Sequence, residues 1–220
     1  MSAPHPLEAG LRQGLQTLAL ELGDAQVHTL LAYVDWVAKW NKVYNLTAVR
    51  DPQEMLTHHL LDSLAVVAPL QRQLAAVGKA AGATLLDVGS GAGLPGVVVA
   101  IACPQVRVSC VDTVAKKALF IQQVAAALRL PNLQGIHARV ENLTQTFDVV
   151  SSRAFASLVD FTTWSRQALA PDGIWLAMKG KVPHDEVQAL PPTVQVFHVE
   201  HLAVPGLDAE RCVLWLRPAP

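Results

Sequence analysis

The residues with the most chemistry in their spacing run from Asp87 to Gly96 and read Asp-Val-Gly-Ser-Gly-Ala-Gly-Leu-Pro-Gly. Glycines at 89, 91, 93 and 96 let the backbone turn tightly and let a ligand approach it closely. Two ligand chemistries suit such a loop. Gly91-x-Gly93-x-x-Gly96 has the spacing that receives a dinucleotide pyrophosphate, and Asp112 lies far enough downstream to bind a ribose. In the competing pattern Asp87 is an acidic residue followed by alternating glycines. The loop then opens toward an amino-acid group, whose cationic amine the Asp87 carboxylate faces directly or through water. A loop that merely turns the chain is the bland reading; its place between a strand and a helix argues against it.

The elements around the loop must position it. Ala83–Val88 is a short apolar run that reads as a strand, and Leu94–Cys103 reads as a helix. Val106–Asp112 is a second strand, followed by a helical stripe of Val114, Ala118, Ile121, Ala125 and Leu128. Leu133–Ala138 and Phe147–Ser152 are the third and fourth strands. A helix is expected from Ser157 to Ala170, ended by Pro171-Asp172-Gly173, with a fifth strand over Gly173–Lys179. Thr193–Leu202 and Arg211–Arg217 read as two more strands, joined by a turn at Pro205–Gly206. The alternation implies a mostly parallel sheet with helices on both faces. The final two strands have no helix between them and should pair antiparallel.

No strand-like alternation precedes Ala83. Asp24 can cap a helix whose stripe is Val27, Leu30, Leu31, Val34, Val37 and Asn41, ending near Tyr44–Asn45. Asp51–Pro52 starts another with Leu56, Leu60, Leu64 and Val67, which Pro69 should stop. The expected organisation is a helical extension over 1–81 and an α/β domain over 82–220.

Composition narrows the function. The chain has 220 residues, 51% apolar and 16% charged, which excludes a disordered tail or a coiled coil. Mean hydropathy is +0.30, yet the apolar run Val97–Cys103 is far too short to cross a bilayer. The first ten residues lack a basic segment followed by an apolar stretch, so no secretory signal is expected. A net charge of -1 excludes a uniformly basic nucleic-acid coat but not a local basic face. The cysteines, Cys103, Cys110 and Cys212, are scattered without ligand spacing, as expected of a reducing cytoplasm rather than a disulfide framework or a zinc site.

A dinucleotide fold calls for a second mononucleotide half, whereas this sheet should end in an antiparallel pair. With Asp87 inside the pattern, the chain resembles the class I S-adenosylmethionine methyltransferases: a Rossmann-like α/β fold whose seven-stranded, mostly parallel sheet carries an antiparallel last strand. That resemblance gives Asp112 the ribose hydroxyls, a role compatible with capping the helix after it. It also puts Val140–Glu141 where adenine is touched; from spacing alone, an exposed glutamate on a turn fits equally well. Two rivals stay open here, a nicotinamide (NAD(P))-dependent oxidoreductase and a non-catalytic RNA-binding assembly factor with a vestigial cofactor site. The intact Asp87, Gly89, Gly91 and Gly93 and the low charge disfavour the second.

Further strings are more specific. Trp40-Asn41-Lys42-Val43-Tyr44-Asn45-Leu46-Thr47 precedes Arg50-Asp51-Pro52, and His59-Leu-Leu-Asp62-Ser63-Leu64 follows. After the glycine loop come Lys116–Lys117, Ser152-Arg153-Ala154-Phe155 and Met178-Lys179-Gly180. Their order and joint presence are similar to the RsmG family, also called GidB, over roughly residues 25 to 180. The resemblance implies a bacterial, cytoplasmic enzyme that methylates N7 of one guanine in 16S ribosomal RNA. The donor would be S-adenosylmethionine and the product S-adenosylhomocysteine. The cofactor contacts it implies fall on Gly89, Leu94, Val140, Glu141 and Arg153. Relatives more often carry Ala-Glu where this chain has Val140–Glu141, and serine where Thr113 follows Asp112.

Guanine N7 bears an in-plane lone pair and no proton, so no general base is expected and no catalytic side chain is assigned. The partner would be 16S rRNA, in the small ribosomal subunit or its assembly intermediate, and the enzyme a monomer. RNA contacts are expected from Arg139, Arg153, Arg166, Lys179 and Lys181, read as lying at or after strand ends. Arg153 suits either the methionine carboxylate or an RNA phosphate, with a salt bridge as its ordinary alternative. His58, His59 and Asp62 lack a third ligand for a metal and read as a hydrogen-bonded latch between the two parts of the chain. Trp36 and Trp40 read as packing, and Asn41 and Asn45 as caps of a chain reversal.

Overall fold

The computed structural model describes residues 4–219. Helices α1 (Glu8–Thr17) and α2 (Asp24–Tyr44) come first, then a bent helical run: α3 (Pro52–Met55), a π-helical turn Leu56–Leu61, α4 (Asp62–Leu64) and α5 (Val67–Ala76). The sheet region follows as β1 (Thr84–Val88), α6 (Gly96–Ala102), β2 (Arg107–Asp112), α7 (Ala115–Ala127), β3 (Leu133–His137), β4 (Phe147–Arg153), α8 (Leu158–Trp164), β5 (Leu169–Lys179), α9 (His184–Gln188), β6 (Val194–His201) and β7 (Cys212–Pro218). Turns of 3₁₀ helix lie at Val140–Asn142 and Arg166–Ala168. The strand order is β3-β2-β1-β4-β5-β7-β6. β1 to β5 are parallel, and β7 runs antiparallel between β5 and β6. This is the expected class I methyltransferase sheet.

Local chemistry explains most boundaries. Asp51 caps α3 by accepting from the N–H groups of Gln53 (2.9 Å) and Glu54 (3.0 Å), with Pro52 behind it. At α2 the cap is Gly23, not Asp24: Gln26 Oε1 accepts from the Gly23 N–H at 3.1 Å, and Asp24 is the first helical residue, paired with Arg12. Pro69 does not end the helical run. It sits in the first turn of α5, where a missing N–H costs little, and the break lies just before it, at Ala65–Val66. Ser157 caps α8 at the expected start of the helix, but the helix ends at Trp164, short of Ala170. β5 already begins at Leu169, opposite Phe147, and a register shift absorbs Pro171-Asp172-Gly173 within the strand.

One sheet face buries α6 and α7 together with Leu11, Leu30, Tyr33 and Leu60 of the N-terminal helices, a single continuous core. The other face packs under α8 through Phe161, Leu158, Trp175 and Leu214. The helical segment is therefore seated on the sheet, and its far end, residues 44 to 62, reaches the carboxyl edge of β1, β4 and β5.

Candidate active site

Two hollows open along that edge. The first, about 430 Å³, is lined by Leu46, Thr47, His59, Asp62, Gly89–Ala92, Leu94, Arg153, Ala154, Met178–Gly180 and Arg211. The second, about 460 Å³, is lined by Val88, Gly89, Val111–Val114, Lys117, Ala138–Glu141, Ala154, Phe155 and Trp164. Gly89 and Ala154 belong to both, so the two form one crevice across the switch point between β1 and β4.

The glycine loop is tied down from inside. Gly89, Gly91 and Gly93 have φ of +65°, +59° and +91°. The N–H groups of Gly89 and Ser90 donate to the Val111 carbonyl (2.9 and 3.3 Å), and those of Gly93 and Leu94 to the Ser90 carbonyl (2.7 and 3.1 Å). Gly91 N–H donates to Asp112 Oδ2 (3.1 Å) and Gly96 N–H to Asp87 Oδ2 (3.0 Å). A pyrophosphate needs several free donors here, and six of the loop's N–H groups are spent on Val111, Ser90, Asp112 and Asp87. That geometry removes the main support for the nicotinamide reading.

Asp87 lines neither hollow. It is fully buried, with Oδ1 accepting from the Ser151 hydroxyl at 3.1 Å. Burial pushes its carboxyl up to about 7, partly offset by these hydrogen bonds. It braces the loop, and the direct approach to a ligand amine considered from sequence is not available to a side chain so enclosed. From below, the buried Tyr33 of α2 donates its hydroxyl to the Ala92 carbonyl at 2.7 Å. Sequence reading passed over Tyr33, whose only signal was its place beside the α2 stripe.

Asp112 ends β2 inside the second hollow. Oδ1 accepts from Val114 N–H (2.9 Å), closing a turn before α7, and Lys117 Nζ lies 3.6 Å from Oδ2. Val140 is buried and Glu141 exposed, both on the same wall. Two carboxylates, an apolar floor and this volume suit a nucleoside: acceptors for hydroxyls at one end, for an amine at the other.

Arg153, at the end of β4, lines the first hollow. Its Nη1 donates to the His58 carbonyl (2.9 Å) and to Asp62 Oδ2 (2.8 Å). The salt bridge weighed as its ordinary role is thus present, while Nε and Nη2 have no hydrogen-bond partner among the described residues. Arg211 Nε takes the other Asp62 oxygen at 2.8 Å. Asp62 is 2% exposed, so one buried carboxylate joins two arginines and leaves the cluster with a net positive charge. The latch expected from the His58–Asp62 string exists, with one change: His59 turns to Thr47, Nε2 to Oγ1 at 2.9 Å. The π-helical turn places the His58 carbonyl and Asp62 toward the same guanidinium. Asn41 and Asn45 close the preceding reversal. Asn41 accepts from Thr47 N–H and donates to the Val49 carbonyl, and Asn45 adopts the left-handed conformation. Trp40 packs edge-on against Phe120.

The five residues expected to meet RNA do not form one set. Arg139 is exposed on the second hollow and Lys181 just beyond β5. Lys179 lines the first hollow, but Glu186 (2.8 Å) and the Ala156 carbonyl (3.1 Å) occupy its ammonium. Arg166 is a correction: its 3₁₀ turn leads into the amino end of β5, because the strand starts four residues earlier than the glycine suggested. Arg211 was missed. Cys212 pairs with Lys179 in antiparallel register, which brings the start of β7 to the edge where the parallel strands end. An antiparallel last strand was itself the available signal.

A family model described as rRNA small subunit methyltransferase G matches residues 26–214. The chain belongs to that family. A relative from Acidovorax ebreus, named ribosomal RNA small subunit methyltransferase G, is 69% identical over 216 residues, spanning 96% of both chains. One of the same name from Polaromonas sp. is 68% identical over 210 residues, 96% of this chain and 93% of that one. Among solved structures, the fold resembles the N-methyltransferase NodS of Bradyrhizobium japonicum, solved with S-adenosylhomocysteine (TM-score 0.54, 13% identity, 83% of this chain and 100% of that one). It also resembles TrmN of Thermus thermophilus (TM-score 0.52, 19% identity, 74% and 53%). The rRNA small subunit methyltransferase G family member described here is an S-adenosylmethionine-dependent enzyme.

Burial, and next to it the charge of Arg153, hold His59 down to about 4 against partial opposition from a backbone hydrogen bond, so it is neutral at physiological pH. An unfolded histidine binds its proton near pH 6.5 and the folded one does not. The stability this residue contributes is therefore present above pH 6.5 and lost as pH falls toward 4. His59→Gln should lose less stability than the parent between pH 6.5 and 4.5, by about 1–3 kcal/mol in urea titrations. Equal losses in the two proteins would contradict a neutral buried imidazole.

Proposed function

We propose that this chain transfers the methyl group of S-adenosylmethionine to N7 of one guanine in small-subunit ribosomal RNA, in the cytoplasm and as a monomer. The division into a helical part, 1–81, and a methyltransferase domain, 82–220, is read functionally: the first walls the substrate side and the second holds the cofactor. The single observation that carries the reading is the continuous crevice, a nucleoside-sized hollow joined at Gly89 and Ala154 to a cationic one.

In this assignment Asp112 accepts from the ribose hydroxyls and Val140–Glu141 flank the adenine, with Gly89 and Leu94 along the middle. Arg153 pairs with the methionine carboxylate, and Asp87 acts through the loop it braces. Bound there, the cofactor supplies an electrophilic methyl. The protein orients the purine lone pair in line with it and excludes water, which can contribute about 7–11 kcal/mol in well-oriented systems. Burial keeps His59 neutral with Nε2 shared with Thr47, Asp87 is enclosed between Gly96 and Ser151, and N7 asks for no base. Arg139 and Lys181 then meet RNA phosphates. No helix of the described residues is long and apolar enough to cross a membrane.

Mass spectrometry of 16S rRNA from a strain lacking this protein should show one lost N7-methylguanine, restored by complementation. In single turnover with saturating cofactor, the limb expected between pH 6 and 8.5 is a mild one from Asp87, whose carboxyl sits at about 7 behind the loop it braces. A steep limb that vanishes in a histidine variant would show a general base and defeat the mechanism.

A further inference from the structure

The far end of α2 carries an arrangement that the cofactor site does not use. Phe120 is wholly buried and Trp40 half-buried, their ring centroids 5.3 Å apart. Tyr44, one helical turn beyond Trp40, lies over it at 5.0 Å with a 38° tilt and is 39% exposed. The chain then turns at Asn45 and enters the first hollow as Leu46 and Thr47. The outermost ring of a supported aromatic column thus lies two residues along the chain from Leu46, which lines that hollow. Three cations lie near it along the chain or on the helix that carries Phe120. Lys42 precedes it, exposed and without an ion-pair partner among the described residues. Among the described residues Arg50 has only a long bond to Asn45 Oδ1, 3.4 Å. Lys116, exposed, sits one turn before Phe120 on α7, next to Val114 of the second hollow.

We propose that Tyr44 is a stacking platform for a nucleotide flanking the methylated guanine, with Lys42, Arg50 and Lys116 on the adjoining phosphates. The inference rests on RNA being the substrate. A guanine whose N7 enters the crevice must leave its own stack, and its neighbour then offers a bare face. A ring held by a second aromatic can receive that face without ordering cost of its own, and base–aromatic stacking tolerates any sequence. The cations supply the sequence-independent part, dependent on salt.

The probe is the small ribosomal subunit from a strain lacking the enzyme, in filter binding and in methylation. S-adenosylhomocysteine affinity and thermal melting are measured beside it. Tyr44→Phe keeps the face and should bind subunits within about twofold of the parent. Tyr44→Ala and Tyr44→Leu, the latter still covering Trp40, should weaken subunit binding at least about fivefold, the lower bound for one lost stack. The loss should appear in KM more than in kcat, with S-adenosylhomocysteine affinity unchanged. Lys42→Ala and Arg50→Ala should each lower the salt slope by about one. Unchanged binding by Tyr44→Leu overturns the proposal, as does a Phe variant as weak as Ala, or a concentration-dependent dimer that Tyr44→Leu abolishes. Subunits bound through Tyr44 but methylated at another atom would sink the N7 assignment and leave the platform standing. A parent that binds no subunits would sink both.

Discussion

Asp62→Ala is expected to reduce methylation about 100-fold or more and to lower stability by about 1–3 kcal/mol. Removing one partner of a fully buried ion pair costs about 3–5 kcal/mol, because the other charge is stranded. Here the stranded groups are Arg153 and Arg211, whose side chains are 22% and 24% exposed at the hollow, so water recovers part of that cost. Position is not recovered in the same way. Both guanidiniums are fixed through Asp62, and a displacement of about 1 Å at a reacting centre can cost about 100-fold. Asp62→Asn keeps one acceptor and should lie between alanine and the parent. Urea titration and kcat/KM on small subunits check both numbers. A variant that loses stability but keeps full activity would show that the triad is scaffolding alone.

Gly89→Ala should abolish cofactor binding at any practical concentration. Its φ of +65° costs an alanine about 1–2 kcal/mol. The added methyl would also fall against Phe155, with three ring carbons at or near contact distances that real side chains do not show. Phe155 lines the second hollow, so its displacement closes the space the nucleoside needs. Gly91→Ala is the matched comparison. It has a similar φ, +59°, but its methyl meets nothing nearer than a carbonyl oxygen at 4.0 Å. It should bind S-adenosylhomocysteine within about tenfold of the parent, reflecting backbone strain alone. Calorimetric titration separates the two. Equal losses would mean that strain, and not Phe155, sets the requirement at 89.

The strands and the glycine loop were legible because their signals are local. Most of the parallel strands are runs centred on apolar residues and ended by a turn, and the loop announces itself by composition. Pro69 and Pro171 misled for one reason: proline forbids a donor, and the chain meets that condition in a helix's first turn or at a strand irregularity as well as at an end. What the sequence hid was long-range. Nothing near Arg211 names Asp62, and nothing near Tyr33 names the Ala92 carbonyl; both contacts follow only once the sheet is closed. The spent N–H groups of the loop were equally out of view, although they are what separates the two nucleotide readings.

The tie between Asp62 and Arg211 spans 149 residues. During synthesis β7 emerges after every other strand of this sheet, so the cationic corner is the last part of the crevice whose residues become available. The second guanidinium reaches Asp62 only when the hairpin of β6 and β7 joins β5, and the charge of the substrate-side hollow therefore reports whether the sheet has closed.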